Sequence, residues 1–326
     1  MIDISGTGRA LPAQHVPTSH FDTRLGRPEG SLFAATGVRA RYVCGPESQV
    51  DLAETAARAA LADAGLQPSD IDLILFGAAV PYQPIPATAP LIMQRLGLPD
   101  GTAAAFDVNA TCLSFLTALD TAARMIATGQ ATRALVVSSE VASRALPWDT
   151  QPEVAALFGD GAAAAVVSQP TSAGIVASLM RTYPSAYDAC TLGAGGTRFD
   201  YHNDPAGFAA HAWFAMDGKE LFRLASRHFA SFVDDLLARA GWARGDVDLV
   251  IPHQASPAAL THMIRQTGFA PDRVVDIIAD HGNQIAASIP FALDVARRAG
   301  RMPTGTRTLF LGTSAGVSFG GMAYVA

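Results

Sequence analysis

Cys112 lies in AFDVNATCLSFLTALDT (Ala105–Thr121), where a short apolar strand over Ala103–Val108 and a polar turn (Asn109, Ala110, Thr111) give way to a helix. Unpaired backbone N–H groups and the helix dipole at such a junction favour an anion. A dipole contribution of about 0.3–2 kcal/mol lowers a thiol pKa by about 1.5 units at most, starting from about 8.5. The sulfur then becomes a usable nucleophile; equally, a free cysteine can serve as a small buried apolar residue. Two further residues offer complementary chemistry. His253 follows an apolar strand in VIPHQAS, and Asn283 precedes a helix in HGNQIAASIP. Taken singly, such a histidine is also a satisfied core residue and such an asparagine an N-cap. Paired with cysteine, a histidine supports nucleophilic chemistry through an acyl-thioester. The run Leu311–Gly321 (LGTSAGVSFGG) supplies glycines that let backbone N–H groups approach a ligand, as an oxyanion hole requires, or it forms a tight turn between two strands.

These residues must be positioned by the elements around them, and those elements come twice. SFVDDLLARAGWARGDVDLVIPHQAS repeats the layout of AETAARAALADAGLQPSDIDLILFGAAV: helix, glycine stop, polar turn, Asp-flanked apolar strand. Thr117–Asp120 (TALD) is matched by Phe291–Asp294 (FALD), and Leu135–Glu140 (LVVSSE) by Leu309–Ser314 (LFLGTS), both at an offset of 174. The helix–strand pair before them is offset by 176. Such periodicity predicts a duplicated α/β unit, with one half over residues 1–170 and the other over 171–326. Helices alternating with continuously apolar strands predict mostly parallel sheets covered on both faces. Ligands in such folds bind beyond the carboxyl ends of strands. At those ends Cys112 is matched by Ala286, Asn109 by Asn283 and Gly77 by His253. One half thus offers a thiol, the other an imidazole and an amide, all at strand-to-helix junctions in one layer.

Elsewhere the pattern predicts a first strand at Ile2–Ser5, a turn at GTGRALP, a loop at Asp22–Ser31, and an extended segment over Thr36–Tyr42. Gly174–Met216 reads as loops and strands inserted over the second half. Cys44 and Cys190 read as structural or surface thiols, His281 as orienting its loop, and Glu140 and Asp160 as structural groups at strand or turn ends. Three cysteines in 326 residues argue against a disulfide framework. A net charge of −6 excludes general nucleic-acid binding. No basic, apolar leader pattern opens the chain, no apolar run is long enough to span a membrane, and the histidine spacing gives no metal site. A cytoplasmic protein is expected.

DVNATCLSF, ALFGDGAAAAVV, VIPHQAS, HGNQIAASIPFALD and GTSAGVSFGG, in this order, resemble the β-ketoacyl-acyl carrier protein synthase III branch of the thiolase superfamily. The resemblance implies a five-layered αβαβα fold, usually a homodimer, and a catalytic set of Cys112, His253 and Asn283. Cys112 would take an acyl group from a thioester primer. A malonyl-type thioester would lose CO2 and attack the acyl-Cys112 in a Claisen condensation. His253 and Asn283 would donate hydrogen bonds to the thioester oxygen, and the N–H groups of Cys112 and Gly316 would form the oxyanion hole. No cofactor is implied beyond acyl-CoA or acyl-carrier-protein thioesters as substrates. Non-decarboxylative condensation of two acyl-CoAs, simple acyl transfer, and a non-catalytic partner subunit are the competing readings.

Departures from the family pattern shape the expectations. Ser31 and Ala35 stand where a tryptophan and an arginine usually hold the CoA nucleotide. Ala258 replaces an arginine of the carrier-protein docking patch, while Arg223 and Arg265 match other basic positions of it. Gln284 and Ile285 replace the usual Thr-Ser beside the asparagine, and are expected to reshape the substrate pocket. Ile85 stands where a partner-chain phenylalanine closes the short-acyl pocket, so a primer longer or more branched than acetyl is expected.

Overall fold

Two mixed β-sheets, each covered by helices, build the protein, and the same strand order recurs in both. The computed structural model describes residues 2–169 and 174–326; the boundary expected at 170/171 lies outside the described residues. The first sheet runs Asp3–Ala10, Gly161–Ser168, Arg133–Glu140, Leu73–Gly77 and Ala104–Val108, in that spatial order. Its first two pairings are antiparallel and its last two parallel. The second sheet runs Gly174–Thr182, Ser318–Val325, Arg307–Ser314 and Leu249–Pro252, antiparallel twice and then parallel. A parallel bridge from Val250 to Val274 stands where the fifth strand would be. Arg133–Glu140 and Arg307–Ser314 are both eight residues long and lie 174 positions apart. The sheets are therefore mixed rather than mostly parallel, and they are duplicated as expected.

The helices Ser114–Ala127 and Ser288–Arg298 lie between the sheets and pack on both. Gln49–Asp63 and Thr88–Leu96 cover the outer face of the first sheet, and Gly218–Ala240 and Pro257–Thr267 that of the second. This is a five-layered αβαβα sandwich. Its apolar residues divide accordingly: one cluster between the sheets, centred on Phe115, Ile251 and Phe310, and one under each outer helix layer. Strands buried on both faces read as unbroken apolar runs, as LILFG (Leu73–Gly77) does.

Three local expectations change. Gly6 and Gly8 lie within the strand Asp3–Ala10, not in a turn. They let the helix Gln49–Asp63 approach: a Cβ on Gly8 would lie 2.4 Å from the Ala60 nitrogen. The segment from Asp22 is partly helical, because Thr18–Arg24 and Ser31–Thr36 are helices and the buried Asp22 carboxylate accepts from the Gly30 and Leu32 amides and the Ser31 hydroxyl. Thr36 accordingly ends a helix, and the extended segment shrinks to Ala40–Val43. Finally, Gly174–Thr182 is no insertion: it pairs with Ser318–Val325 as Asp3–Ala10 pairs with Gly161–Ser168.

Candidate active site

The turn before each central helix has the same construction in both halves. In the second half, the Asn283 side-chain oxygen accepts from the Ile285 amide (2.8 Å), and its amide nitrogen donates to the Ala255 carbonyl (3.2 Å). In the first half, Asn109 accepts from the Thr111 amide (2.9 Å) and donates to the Ala79 carbonyl (3.1 Å). Thr111 and Ile285 have φ of 51° and 49°. A β-branched residue with positive φ is strained, by about 1–3 kcal/mol. The asparagine clamps hold both turns in that conformation. Each then runs into a single 3-10 turn, Thr111–Leu113 or Ile285–Ala287, before its helix begins. Cys112 occupies one turn; Ala286, fully buried, occupies the other.

Cys112, His253, Asn283, Gly316 and Ile285 line one cavity of about 1140 Å³. His253 directly follows the strand Leu249–Pro252, and its amide donates to the Leu311 carbonyl (2.7 Å), extending the parallel register by one residue. Its Nδ1 lies 2.7 Å from the Ser288 hydroxyl. Asn283 has one amide hydrogen committed to Ala255, which leaves the other for a ligand. The lining includes the apolar cluster of Leu146, Leu157, Phe158, Phe214 and Ile285, and also Phe222, Leu260 and Met263 from the two outer helices of the second half. The lining is largely apolar.

Electrostatics reverse one expectation. Burial pushes the Cys112 thiol well above its ordinary value, and Cys190 and Glu140 nearby push the same way. The amides of Ala315 and of Cys112 itself pull it down, but less. Removing a charge from water outweighs the dipole of the turn, because the sulfur sits at the bottom of an apolar cavity rather than at an exposed helix end. Burial also lowers His253, to about 4. Both groups are therefore neutral at rest, and the thiol would need a proton acceptor to become a nucleophile.

Of the remaining expected site residues, Gln284 does not reach the cavity. It is fully buried behind the turn, its amide donating to the Asp160 carbonyl (3.3 Å) against Gly161, because Asn283 and Ile285 take the cavity side of the tight turn. Ile85 is 86% exposed; its neighbours Tyr82, Gln83 and Pro84 line the cavity of their own chain, and it does not. Arg223 and Arg265 are exposed, Arg223 paired with Glu220. Arg223 adjoins Phe222 and Arg265 lies one helical turn from His262; the Phe222 and His262 rings pack 4.2 Å apart and both line the cavity. Ser31 and Ala35 are not part of the lining, and the Ser31 hydroxyl donates to Asp22.

Two groups read as structural lie in the lining. Cys190 shares the cavity with Cys112, and burial pushes its thiol up to about 12. Glu140, 1% exposed, accepts from the Ala79 amide (2.6 Å); burial pushes its carboxyl up to about 8 despite hydrogen bonds from Ala79, Ala286 and Val80. Its place was readable, since it ends the strand matched to Leu309–Ser314 and the carboxyl ends of these strands face the cavity. Cys190 had no such signal. Asp160 is structural as expected, accepting from Ser143 and the Cys44 amide, and His281 bonds its own loop at the Ile277 carbonyl. Among the described residues there is no cluster suited to a metal ion, and no helix is long and apolar enough to cross a membrane.

Comparison with known proteins agrees with this fold. Residues 106–184 match the family described as 3-oxoacyl-(acyl-carrier-protein) synthase III, and residues 237–325 match its C-terminal counterpart. The chain is 36% identical over 323 residues to a β-ketoacyl-(acyl-carrier-protein) synthase III of Neisseria gonorrhoeae, covering 97% of each. The crystal structure of a 3-oxoacyl-(acyl carrier protein) synthase III from Pseudomonas aeruginosa superposes with a TM-score of 0.89 at 31% identity, over 99% of this chain and 98% of that one. A priming β-ketosynthase of a polyketide biosynthetic pathway superposes with a TM-score of 0.91 at 28% identity, over 100% and 96%. By sequence over nearly its whole length and by fold, the chain belongs to the 3-oxoacyl-(acyl-carrier-protein) synthase III family.

Proposed function

We propose that this protein is a condensing acyltransferase that joins an acyl primer to a malonyl-type thioester, with Cys112 as nucleophile. The observation that carries the reading is the gathering of Cys112, His253 and Asn283, from both halves of the duplication, around one apolar cavity. In the first half-reaction the Cys112 proton passes to His253 as the sulfur attacks the primer's carbonyl. The oxyanion is held by the backbone amides of Cys112 and Gly316; loss of one such donor costs about 10²–10³ in rate. The tetrahedral intermediate collapses, the donor's C–S bond breaks, and His253 returns the proton to the departing thiolate. In the second half-reaction the malonyl C–C bond breaks, CO2 leaves, and its electron pair forms an enolate whose oxygen takes the free N–H of Asn283. The enolate carbon attacks the acyl group, and Cys112 leaves as a thiolate that regains one proton from solvent.

The cavity volume of about 1140 Å³ and the small, exposed Ile85 support a primer larger than acetyl. Ile85 would reach the cavity of a second copy, and the homodimer this requires fits the edge strand Ala104–Val108. That strand has a neighbour on one side only and carries Phe106, 37% exposed. Asp107 on the same strand accepts from the Thr88 and Ala89 amides (2.8 and 2.7 Å), fixing the end of the Ile85 loop at this edge. Arg223 and Arg265, exposed close to the lining residues Phe222 and His262, support delivery by an acidic carrier protein. Intact-protein mass spectrometry after incubation with acyl-CoAs and acyl-carrier proteins tests the reading. One acyl mass on Cys112, followed by malonyl-dependent CO2 release, is expected. An unlabelled Cys112 across the panel refutes it, and best turnover with acetyl donors refutes the larger primer.

A further inference from the structure

We propose that Ser288 is a positioning residue that holds His253 as the Nδ1–H tautomer, leaving Nε2 bare towards the cavity as the acceptor for the Cys112 proton. The proposal rests on the condensing role above. Ser288 is fully buried at the start of the helix Ser288–Arg298. Three groups surround its hydroxyl oxygen: His253 Nδ1 at 2.7 Å, the Ile285 carbonyl at 2.9 Å and the Gln254 amide at 3.3 Å. A carbonyl only accepts and an amide N–H only donates, while a hydroxyl has one proton and two lone pairs. With the hydroxyl proton on Ile285, both lone pairs are filled, by Gln254 N–H and His253 Nδ1–H, and three bonds form. With the proton turned to Nδ1, only two form, and the Ile285 carbonyl keeps just its backbone partner, the Ser288 amide. Three bonds in a site sealed from water outweigh two.

The other half of the duplication supports the same orientation. Ser114, 174 positions earlier, accepts from the Ala110 amide (2.9 Å) and lies 2.6 Å from the Thr111 carbonyl, with the Ala78 carbonyl farther off at 3.1 Å. No imidazole competes there, and the shortest contact is to the carbonyl three residues back. Ser288 keeps that bond to Ile285, and His253 Nδ1 is the partner added beside it. The ring nitrogen left without a protein partner then has no proton. It accepts the thiol's proton, forms a transient imidazolium held by Ser288, and yields the same proton to the departing donor thiolate. Asn283, whose free group is an N–H, is the standing donor to a thioester oxygen. The family resemblance gives His253 and Asn283 one shared donor role; the hydrogen-bond geometry divides it between an acceptor and a donor.

Selective 15N-histidine labelling tests this directly, with His253 assigned by its loss in His253→Gln. An Nδ1-protonated, Nε2-bare signature in the resting protein is expected; an Nε2–H signature overturns the proposal, whatever the substrate proves to be. In Ser288→Ala the rate of Cys112 acylation should fall by about 10²-fold, the lower range for a general base. Condensation by protein already acylated should fall far less, and Ser288→Thr, which keeps the hydroxyl, should recover acylation. Equal loss in both steps, or acylation at the wild-type rate, overturns it. Should no thioester label Cys112 in the wild-type protein, the condensing role fails, and the tautomer measurement still decides the proposal.

Discussion

Replacing Glu140 by glutamine should make the protein more stable, and increasingly so as pH rises. Glu140 is buried and its carboxyl is pushed up from 4.5 to about 8. Unfolded, it ionises near 4.5; folded, it keeps its proton until about 8. Between those values the folded chain binds more protons than the unfolded one, so wild-type stability falls as pH rises through this window. From pH 5 to pH 8 the loss from this group is about 3–4 kcal/mol, at about 1.36 kcal/mol per unit. Below pH 4.5 it vanishes, because both states are protonated. Glutamine has no proton to lose, so the stability difference between Glu140→Gln and wild type should grow by that amount across the window. For a chain of this length it corresponds to about 5 °C in Tm. Urea denaturation of both proteins at pH 5, 6, 7 and 8 measures it, and every other titrating group cancels in the difference. A difference that stays constant with pH refutes the reasoning: it would mean that the three amides around Glu140 outweigh its burial. Because the Glu140 charge also disfavours the Cys112 thiolate, acylation of wild type should rise less above about pH 8 than acylation of the variant.

Iodoacetamide should alkylate Cys112 at pH 7 more slowly than a free peptide thiol, with the rate still climbing beyond pH 9; fast alkylation at neutral pH would show the turn dipole prevailing over burial. Gly8→Val places side-chain atoms where the backbone of Ala60 lies, and should cost more than about 4 kcal/mol or abolish folding, read as loss of the soluble, cooperatively melting protein. The double reversal Arg223→Glu with Arg265→Glu should raise KM for carrier-protein substrates several-fold and flatten its salt dependence, leaving acylation by acyl-CoA unchanged. Phe106→Arg on the edge strand should shift the protein to monomer in sedimentation, with loss of turnover wherever Ile85 serves the partner's cavity.

Much of the site was legible because duplication aligns what a linear reading separates. The offset of 174 puts Asn109 on Asn283 and Cys112 on Ala286, and the structure gives these pairs the same turn, down to the two positive φ angles. The strand lengths of Arg133–Glu140 and Arg307–Ser314 follow from the same alignment. What stayed hidden depends on depth and on distant partners. Gly6 and Gly8 look like turn residues until the helix that presses on them is seen. Gln284 looks like a lining residue by adjacency, but the reversal at Ile285 sends it behind the wall. The direction of the Cys112 shift is hidden for a related reason: a helix end is visible in a sequence, whereas the dryness around a sulfur belongs to residues from both halves. Gly174–Thr182 lacks the apolar continuity of a central strand because it is the outermost strand of its sheet.

The two strained turns carry a consequence for stoichiometry. A gene that doubles an α/β unit doubles its pockets, yet here Asn109 from one copy and Asn283 from the other open onto a single shared chamber. The methyl of Ala286, fully buried, occupies the turn position that Cys112 holds in the first half. With Cys112 as the acylated residue, titration with a competent donor should plateau at one equivalent per chain, and Cys190, which lines the same cavity, should stay unmodified.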